Sequence, residues 1–232
     1  GGSSRTFDLV VGADGLHSRT RELVFGPEEG FHRYLGYCFA GFTVRNTFGL
    51  DREATMWNSP GRAAVLYAVG DGDEEAQRDL VAEVFAGAGW EVPGLLAALR
   101  EAEDLFFDAV GQIRIPRWSD NRVALVGDAA YAPSFLTGQG SSLALVGAYM
   151  LAGSLAAERD HTAGFAAYER DTRAFVTLNQ DRVGEGDAVL FPATARALEQ
   201  RNAMLRGLAA PPPAEGRPAH SALVLPEFTP VV

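Results

Sequence analysis

The sequence predicts a mixed α/β fold into which an antiparallel β-sheet is inserted. Residues 7–11 and 122–126 are continuous apolar runs that end at Gly and Asp, which is typical of strands buried in a parallel or mixed sheet. Between them, residues 30–118 are rich in aromatic and β-branched residues interrupted by turn formers, a pattern typical of antiparallel strands. We therefore expect the two outer segments to share one sheet and the middle segment to form a separate lobe.

The first outer segment is a strand followed by a helix. The strand predicted at residues 7–11 ends at Gly12-Ala13-Asp14-Gly15, and a short helix over residues 18–23 stops at Gly26-Pro27. In the middle segment, Ser59-Pro60-Gly61 between two apolar runs predicts a β-hairpin. The strands expected there are 34–44, 53–58, 63–69 and 106–115, the turns are 46–49 and 70–73, and the helices are 74–86 and 93–102.

The second outer segment continues from the strand at 122–126 through a loop to Gly138-Gln139-Gly140. The helix expected over 143–157 is nearly all apolar but shorter than the roughly 20 residues that span a bilayer, so it is interpreted as a core helix. Residues 162–180 form an amphipathic helix in this prediction, with apolar positions at Phe165, Tyr168, Phe175 and Leu178. From Pro211 onward we expect an extended tail.

Composition excludes several functional classes. The 232 residues carry a net charge of −10, which argues against nucleic-acid partners and against a membrane partner. All 20 basic residues are Arg, and the absence of Lys excludes a Walker-A loop and a Schiff-base enzyme. The lone Cys38 and four unclustered His predict no internal disulfide and no metal site. The single thiol and the polar start, which lacks a signal-peptide pattern, predict a cytoplasmic protein.

The first candidate motif lies where the first strand meets its helix. It supplies a hydrogen-bond acceptor (Asp14), a flexible backbone (Gly15), a hydroxyl (Ser18) and a cation (Arg21). These groups lie at a helix N-terminus, where free N–H groups can bind phosphate. The alternative interpretation is that Asp14 merely caps the helix and Arg21 is a solvated charge.

The second candidate motif follows the second strand. It comprises Gly127-Asp128-Ala129-Ala130 and then Gly138-Gln139-Gly140 at the start of the long apolar helix. An Asp at the carboxyl end of such a strand lies where open α/β sheets bind ligands, and the two Ala leave room for a large ring. Gly138 and Gly140 allow close backbone approach to a planar ligand, and the helix dipole favours negative charge there. The alternative is a Gly-rich loop with a helix cap.

Together, in this order and about 110 residues apart, the motifs resemble those of the class A flavoprotein monooxygenases, the para-hydroxybenzoate hydroxylase-like family. Asp14, Gly15, Ser18 and Arg21 match the family's Asp-Gly-x-x-Ser-x-x-Arg. Gly127 to Ala130 and Gly138 to Gly140 match its Gly-Asp-Ala-Ala and Gly-Gln-Gly. The resemblance covers residues 5–180 and is closest to members that oxidise aromatic polyketides or tetracycline-like molecules.

The resemblance implies a fold and roles for the motif residues. Residues 5–29 and 119–180 would be part of a Rossmann-like FAD-binding domain, 30–118 a β-rich substrate domain, and 181–232 a C-terminal helix and Pro-rich tail. Asp128 would bind the ribityl chain of FAD, and Gly138 to Gly140 would face the isoalloxazine ring. Asp14 would support binding of FAD and NAD(P)H, and Arg21 would orient that region. The reaction implied by the resemblance would be hydroxylation of an aromatic or polyketide-like small molecule, with FAD performing the oxygen chemistry and NAD(P)H as the reductant.

Two departures from the family pattern qualify these expectations. The family begins with a βαβ unit carrying Gly-x-Gly-x-x-Gly, which this chain lacks, so we expect either a second chain to supply it or poor FAD binding. Tyr131 stands where many members have His. A related halogenase or reductase, and a non-catalytic binding module, remain alternatives. In the middle segment, the aromatic or apolar residues that could line a substrate pocket are Tyr37, Phe39, Phe42, Met56, Trp57 and Tyr67.

Overall fold

The structure, a computed structural model, describes residues 4–44, 49–50, 54–66, 81–208 and 218–229. Its strands are β1 (Val10–Gly12), β2 (His32–Gly41), β3 (Thr55–Ser59), β4 (Arg62–Leu66), β5 (Phe106–Ile113), β6 (Ser119–Asp120) and β7 (Val123–Leu125). Its α-helices are α1 (Arg19–Phe25), α2 (Val92–Glu101), α3 (Asp128–Tyr131), α4 (Gly140–Ala157), α5 (His161–Gln180), α6 (Val183–Leu190) and α7 (Ala195–Arg206). The mixed α/β fold class is confirmed.

The chain divides into two compact units. The first comprises residues Gly1–Leu35, Gly111–Gly186 and Ala210–Val232, and the second comprises Gly36–Val110 and Asp187–Ala209. Residues 187–209 belong to the second unit, so the helix α7 lies there. The domain bounds at 30, 118 and 181 stay predictions.

The first unit is built on a three-stranded sheet in the order β1-β7-β6. Strands β1 and β7 are parallel, with Val10 opposite Val123, and β6 runs antiparallel to β7. The expectation that the two outer segments share one sheet is therefore confirmed. Both candidate motifs begin at the carboxyl ends of the parallel pair.

The expectation that the first strand is buried is wrong. Val10 and Val11 are 40% and 46% exposed, whereas Ala124 and Leu125 of β7 are fully buried. Among the described residues β1 pairs only with β7, so its outer edge carries no neighbouring strand. An apolar run predicts a strand but not which of its sides is covered.

The helix α4 also departs from expectation. It begins three residues earlier than predicted and has 18 residues, so by length and composition alone it could cross a membrane. Leu143, Gly147, Met150, Leu151 and Ser154 are its buried positions, while Leu145 is 73% exposed. Its buried side packs in the core of the first unit, as the sequence predicted, but its opposite side is open.

The helix α5 confirms the amphipathic pattern except at one position. Phe165, Tyr168 and Phe175 are buried, but Leu178 is 44% exposed. Tyr168 is part of an aromatic cluster with Trp118 and Tyr131. The ring centroid of Trp118 lies 5.3 Å from that of Tyr168 and 4.6 Å from that of Tyr131. All three residues belong to the core cluster that also includes Ala124 and Leu125 of β7.

The second unit contains the predicted hairpin. Strands β3 and β4 are antiparallel, with Ser59 opposite Arg62 across Pro60-Gly61. Strands β2 and β5 pair with each other, and α2 confirms the helix expected over 93–102. Some of the predicted features lie outside the described residues: the turn at 70–73, most of the turn at 46–49, most of the helix at 74–86, and Tyr67.

Candidate functional site

Ser18 organises the turn between β1 and α1. It is the N-cap of α1, and its hydroxyl accepts a hydrogen bond of 2.9 Å from the Arg21 backbone N–H. The same hydroxyl donates to Asp14 Oδ1 at 2.6 Å. Gly15, between them, has a φ of 80°, a conformation that glycine adopts readily. The first motif is therefore a capped helix N-terminus whose residues are joined by hydrogen bonds.

The carboxylate of Asp14 is occupied by this cap. Its Oδ2 accepts hydrogen bonds from the Thr20 backbone N–H at 2.9 Å and from the Thr20 hydroxyl at 3.0 Å. Burial raises the pKa of Asp14, but the hydrogen bonds from Ser18 and Thr20 outweigh it and hold the pKa below its ordinary value. The capping interpretation of Asp14 thus describes its contacts in this structure.

Arg21 is not a solvated charge. Its side chain is 0% exposed and forms an ion pair with Glu28. The guanidinium also donates to Leu16 O at 2.7 Å and to Ala129 O at 3.0 Å, while its Nε is buried without a partner. Burial lowers the pKa of Arg21, and the neighbouring carboxylates of Glu28 and Asp14 oppose this effect. Arg21 therefore connects the first motif to the second.

The second motif forms the turn from β7 into α3. Gly127 is the N-cap of α3. A Cβ added at Gly127 would lie 3.3 Å from Ala144 Cβ, so this turn packs against α4. Ala129 and Ala130 are fully buried. Their side chains lie in the core, which differs from the expectation that they leave room for a ring.

Asp128 is an exposed residue at the start of α3. In the described part of the chain no hydrogen bond or ion pair reaches its carboxylate. Partial burial raises the pKa of Asp128 above its ordinary value, with no compensating donor. A carboxylate in this condition is suited to accept hydrogen bonds from hydroxyl groups of a ligand.

The loop before α4 carries the third group of predicted residues. Gly138 has a φ of 65° in the left-handed region, and Gln139 is the N-cap of α4 without a side-chain capping bond. A Cβ at Gly138 or Gly140 would meet no atom within 4 Å. The backbone at Gly140 is therefore not crowded by protein atoms, which leaves space for a ligand. The first turn of α4 contains no acidic residue, and no side chain caps its N–H groups. These N–H groups can therefore interact with negative charge on a ligand.

Two glutamines that the sequence analysis missed hold the loop between α3 and the Gly138 turn. Gln180 Nε2 donates to Tyr131 O at 3.1 Å and to Ile113 O at 2.8 Å. Gln112 Nε2 donates to Pro133 O at 3.0 Å and to Gln180 O at 2.7 Å. Both are buried. Gln112 lies in the strand β5 and Gln180 at the end of the helix α5, at no fixed spacing from either motif. The one sequence signal for them is a polar residue at a position where the pattern predicts burial.

Tyr131 points away from this loop and into the core. Its hydroxyl lies 3.0 Å from that of Tyr168, which donates to Leu125 O at 3.1 Å. A Cβ at Gly147 would lie 1.7 Å from the Tyr131 hydroxyl oxygen, so Gly147 is what lets the ring lie against α4. The position where many family members carry His is therefore filled by a packing residue.

Comparisons with known proteins identify the family. No protein-family model matches the chain. A flavin-dependent monooxygenase from an unknown prokaryotic organism is 36% identical to it over 98% of the chain and 63% of that protein. The chain is therefore similar, along nearly its whole length, to part of a flavin-dependent monooxygenase. The resemblance to the class A flavoprotein monooxygenases is confirmed.

Solved structures of the class A flavoprotein monooxygenases are similar to the chain. The crystal structure of tetracycline destructase Tet(55) matches with a TM-score of 0.80 and 35% identity, covering 98% of this chain and 64% of that one. Klebsiella pneumoniae HpxO complexed with FAD and uric acid matches with a TM-score of 0.65 and 25% identity, covering 89% and 58%. The chain thus spans less than two-thirds of the length of these relatives.

The residues present fit FAD on three structural observations. Asp128 offers an acceptor without a partner. The Gly138 and Gly140 backbone faces open space. The start of α4 presents uncapped N–H groups. Asp14 and Arg21, by contrast, are already engaged by protein groups, so their contribution is to hold the turn.

Proposed function

We propose that this chain contributes the ribityl and ring side of the FAD site of a monooxygenase. The observation that carries the proposal is the hydrogen bond from Arg21 to Ala129 O, which holds the two motifs together beside the unpartnered carboxylate of Asp128. The cofactor, when bound, supplies the chemistry of electron transfer and oxygen activation. The chain's own residues position it and shield it.

In this proposal the residues around Asp128 and the start of α4 contact the cofactor. Asp128 accepts hydrogen bonds from ribityl hydroxyl groups, and the N–H groups at the start of α4 stabilise negative charge on the adjacent ring. Gly138, Gln139 and Gly140 provide the backbone surface against the ring. Gln180 and Gln112 fix the carbonyl groups of the preceding loop, so that this surface keeps its shape without the ligand.

The reductant in this proposal is NAD(P)H, by resemblance to the family, and the turn at Asp14 is its suggested neighbourhood. The substrate is an aromatic or polyketide-like small molecule. The similar structures of a tetracycline destructase and of a protein complexed with uric acid support a small-molecule substrate. We also propose a cytoplasmic site of action, which the single thiol favours.

Exposed apolar residues of the first unit support the presence of a further segment that covers them. Val10, Val11, Leu145 and Tyr149 are all at least 40% exposed, although each lies on a regular element. Strand β1 also offers an edge without a neighbour among the described residues. We infer that another segment, from the same polypeptide or from a second chain, pairs with β1 and completes the FAD site.

The test is to express the chain joined to the part of the 36% identical monooxygenase that it does not span. The proposal expects flavin to co-purify, NAD(P)H to be oxidised, and a panel of aromatic polyketides to include one that gains oxygen, detected by mass spectrometry. A joined protein that folds but retains no flavin contradicts the proposal and favours a non-catalytic binding module. Halogenated or reduced products without added oxygen would favour the halogenase or reductase alternatives.

A further inference from the structure

Residues 218–229, here called the strap, contain no helix or strand but are docked on the first unit. Asn179 of α5 is fully buried and donates from Nδ2 to Ala219 O at 2.9 Å. Further along the strap, the hydroxyl of Tyr149 on α4 donates to Pro226 O at 2.7 Å. The strap is therefore held by side chains of both α4 and α5.

The ring of Phe228 makes the closest contact of the strap. A Cβ added at Gly153 of α4 would lie 1.9 Å from Phe228 Cδ2, so the missing side chain at Gly153 is what gives the ring its place. The centroid of the Phe228 ring also lies 5.5 Å from that of Tyr149. Leu223 and Phe228 pack against the core cluster of the first unit. One side of the strap is thus apolar and directed to the core.

The strap also carries apolar side chains that are open to solvent. Val224 is 87% exposed, and its neighbour Leu225 is exposed as well. No hydrogen bond between described residues reaches the main chain of residues 223–225. An extended stretch with free main-chain groups and apolar side chains is able to bind another polypeptide segment.

The open side of α4 joins these residues through Tyr149. Leu145 and Tyr149 are both exposed and lie four residues apart on α4, so they share one face of the helix. The hydroxyl of Tyr149 is bonded to Pro226 O, directly after Leu225. Leu145, Tyr149, Val224 and Leu225 therefore form an apolar surface that α4 and the strap build together. Single exposed apolar side chains are ordinary, whereas a joint apolar surface marks an interaction site.

We propose that this joint surface of α4 and the strap binds the companion segment, meaning the part of the 36% identical monooxygenase that this chain does not span. The chain spans 63% of that protein, so more than a third of its length lies outside the match. The proposal rests on the proposed function for the identity of this segment. It adds that the strap, which lies far from both motifs in the sequence, is part of the surface on which the segment docks.

The experiment measures the accessibility of single cysteines to N-ethylmaleimide, in the 232-residue chain alone and in the joined protein. Cys38→Ser removes the one cysteine of the chain, and cysteines of the added part are replaced by serine. Val224→Cys, Leu145→Cys or Thr162→Cys is then introduced, and mass spectrometry gives each labelling rate. We expect positions 224 and 145 to react about tenfold more slowly, or slower still, in the joined protein, because a covered thiol is shielded from the reagent. Thr162, exposed in the first turn of α5, is the matched control and should react equally fast in both proteins.

Three results overturn the proposal. Slow labelling of Leu145→Cys with unchanged labelling of Val224→Cys would show that the strap is not part of the docking surface. Equal rates in the two proteins at both positions would show that the companion segment lies elsewhere. A rate at Val224→Cys that falls as the concentration of the chain alone rises would assign the surface to a second copy of the chain.

The labelling rates also separate this proposal from the proposed function. They are measured without flavin, so a joined protein that protects both positions but retains no flavin supports the docking surface and contradicts the FAD site. Circular dichroism checks that each variant is folded, and Leu225→Cys replaces Val224→Cys if the latter fails to fold.

Discussion

The guanidinium of Arg21 donates a hydrogen bond of 3.0 Å to the carbonyl oxygen of Ala129, which lies 108 residues further along the chain. The side chain is fully buried and also pairs with Glu28. A buried cation stays favourable only when its donors are satisfied and its charge is compensated. This contact therefore ties the β1–α1 turn to the β7–α3 turn and fixes where Asp128 stands.

Arg21→Met keeps much of the side-chain length but removes the charge and the donors. We expect the free energy of unfolding to fall by about 3 kcal/mol, because Glu28, Leu16 O and Ala129 O lose their common partner. Urea denaturation followed by circular dichroism measures this. Arg19→Met is the control, since Arg19 pairs with Glu22 at the surface and should cost less than about 1 kcal/mol. Equal losses in the two variants would contradict the connecting role of Arg21.

Asp14→Asn tests the cap through its pH dependence. The pKa of Asp14 is lowered in the folded chain, so its carboxylate stabilises the fold above the unfolded-state pKa near 3.8. That contribution is lost as the pH falls through the lower folded-state pKa. We expect the variant to be less stable by about 1 kcal/mol at neutral pH and the difference to shrink below pH 3.8. A pH-independent difference in urea midpoint would show that the carboxylate's charge is not what matters.

Asp128→Asn should act in the opposite direction in the flavin-free chain. Burial raises the pKa of Asp128, so the folded state binds a proton more readily than the unfolded state. The stabilising contribution is then full below the unfolded-state pKa and is lost as the pH rises through the folded-state value. At neutral pH we expect a higher Tm for the variant, and at a pH below 3.8 no difference. A lower Tm for the variant at neutral pH would mean that the protein itself partners this carboxylate.

Gly147→Ala tests the close contact between α4 and the aromatic cluster. The added Cβ would lie 1.7 Å from the Tyr131 hydroxyl oxygen, so we expect a loss of about 2 kcal/mol in the free energy of unfolding. Tyr131→Phe in the same chain should recover part of the loss, which a double-mutant cycle measures. Gly94→Ala in α2, where no atom lies within 4 Å, is the control and should be neutral or slightly stabilising. Additive losses in the cycle would argue against this contact.

The sequence predicted the parts of the site that lie within single motifs. Ser18 at a helix start and the glycines before α4 follow from local chemistry, and so do the strands that precede both motifs. The burial of Arg21 does not, because its enclosing groups include Ala129 from a distant segment. The exposure of Val10 and Val11 was missed for a similar reason, since an apolar run does not reveal which edge of the sheet it occupies. Gln112 and Gln180 meet only in the folded chain.

The central claim is that Asp128 holds FAD, and the most direct measurement is the FAD dissociation constant of the joined protein, obtained from quenching of flavin fluorescence. We expect Asp128→Asn to weaken FAD binding at least tenfold, because an anionic acceptor for ribityl hydroxyls becomes neutral. The control Asp171→Asn, at an exposed ion pair on α5, should leave the constant unchanged. If Asp128→Asn binds FAD as tightly as the unaltered protein, the account is contradicted.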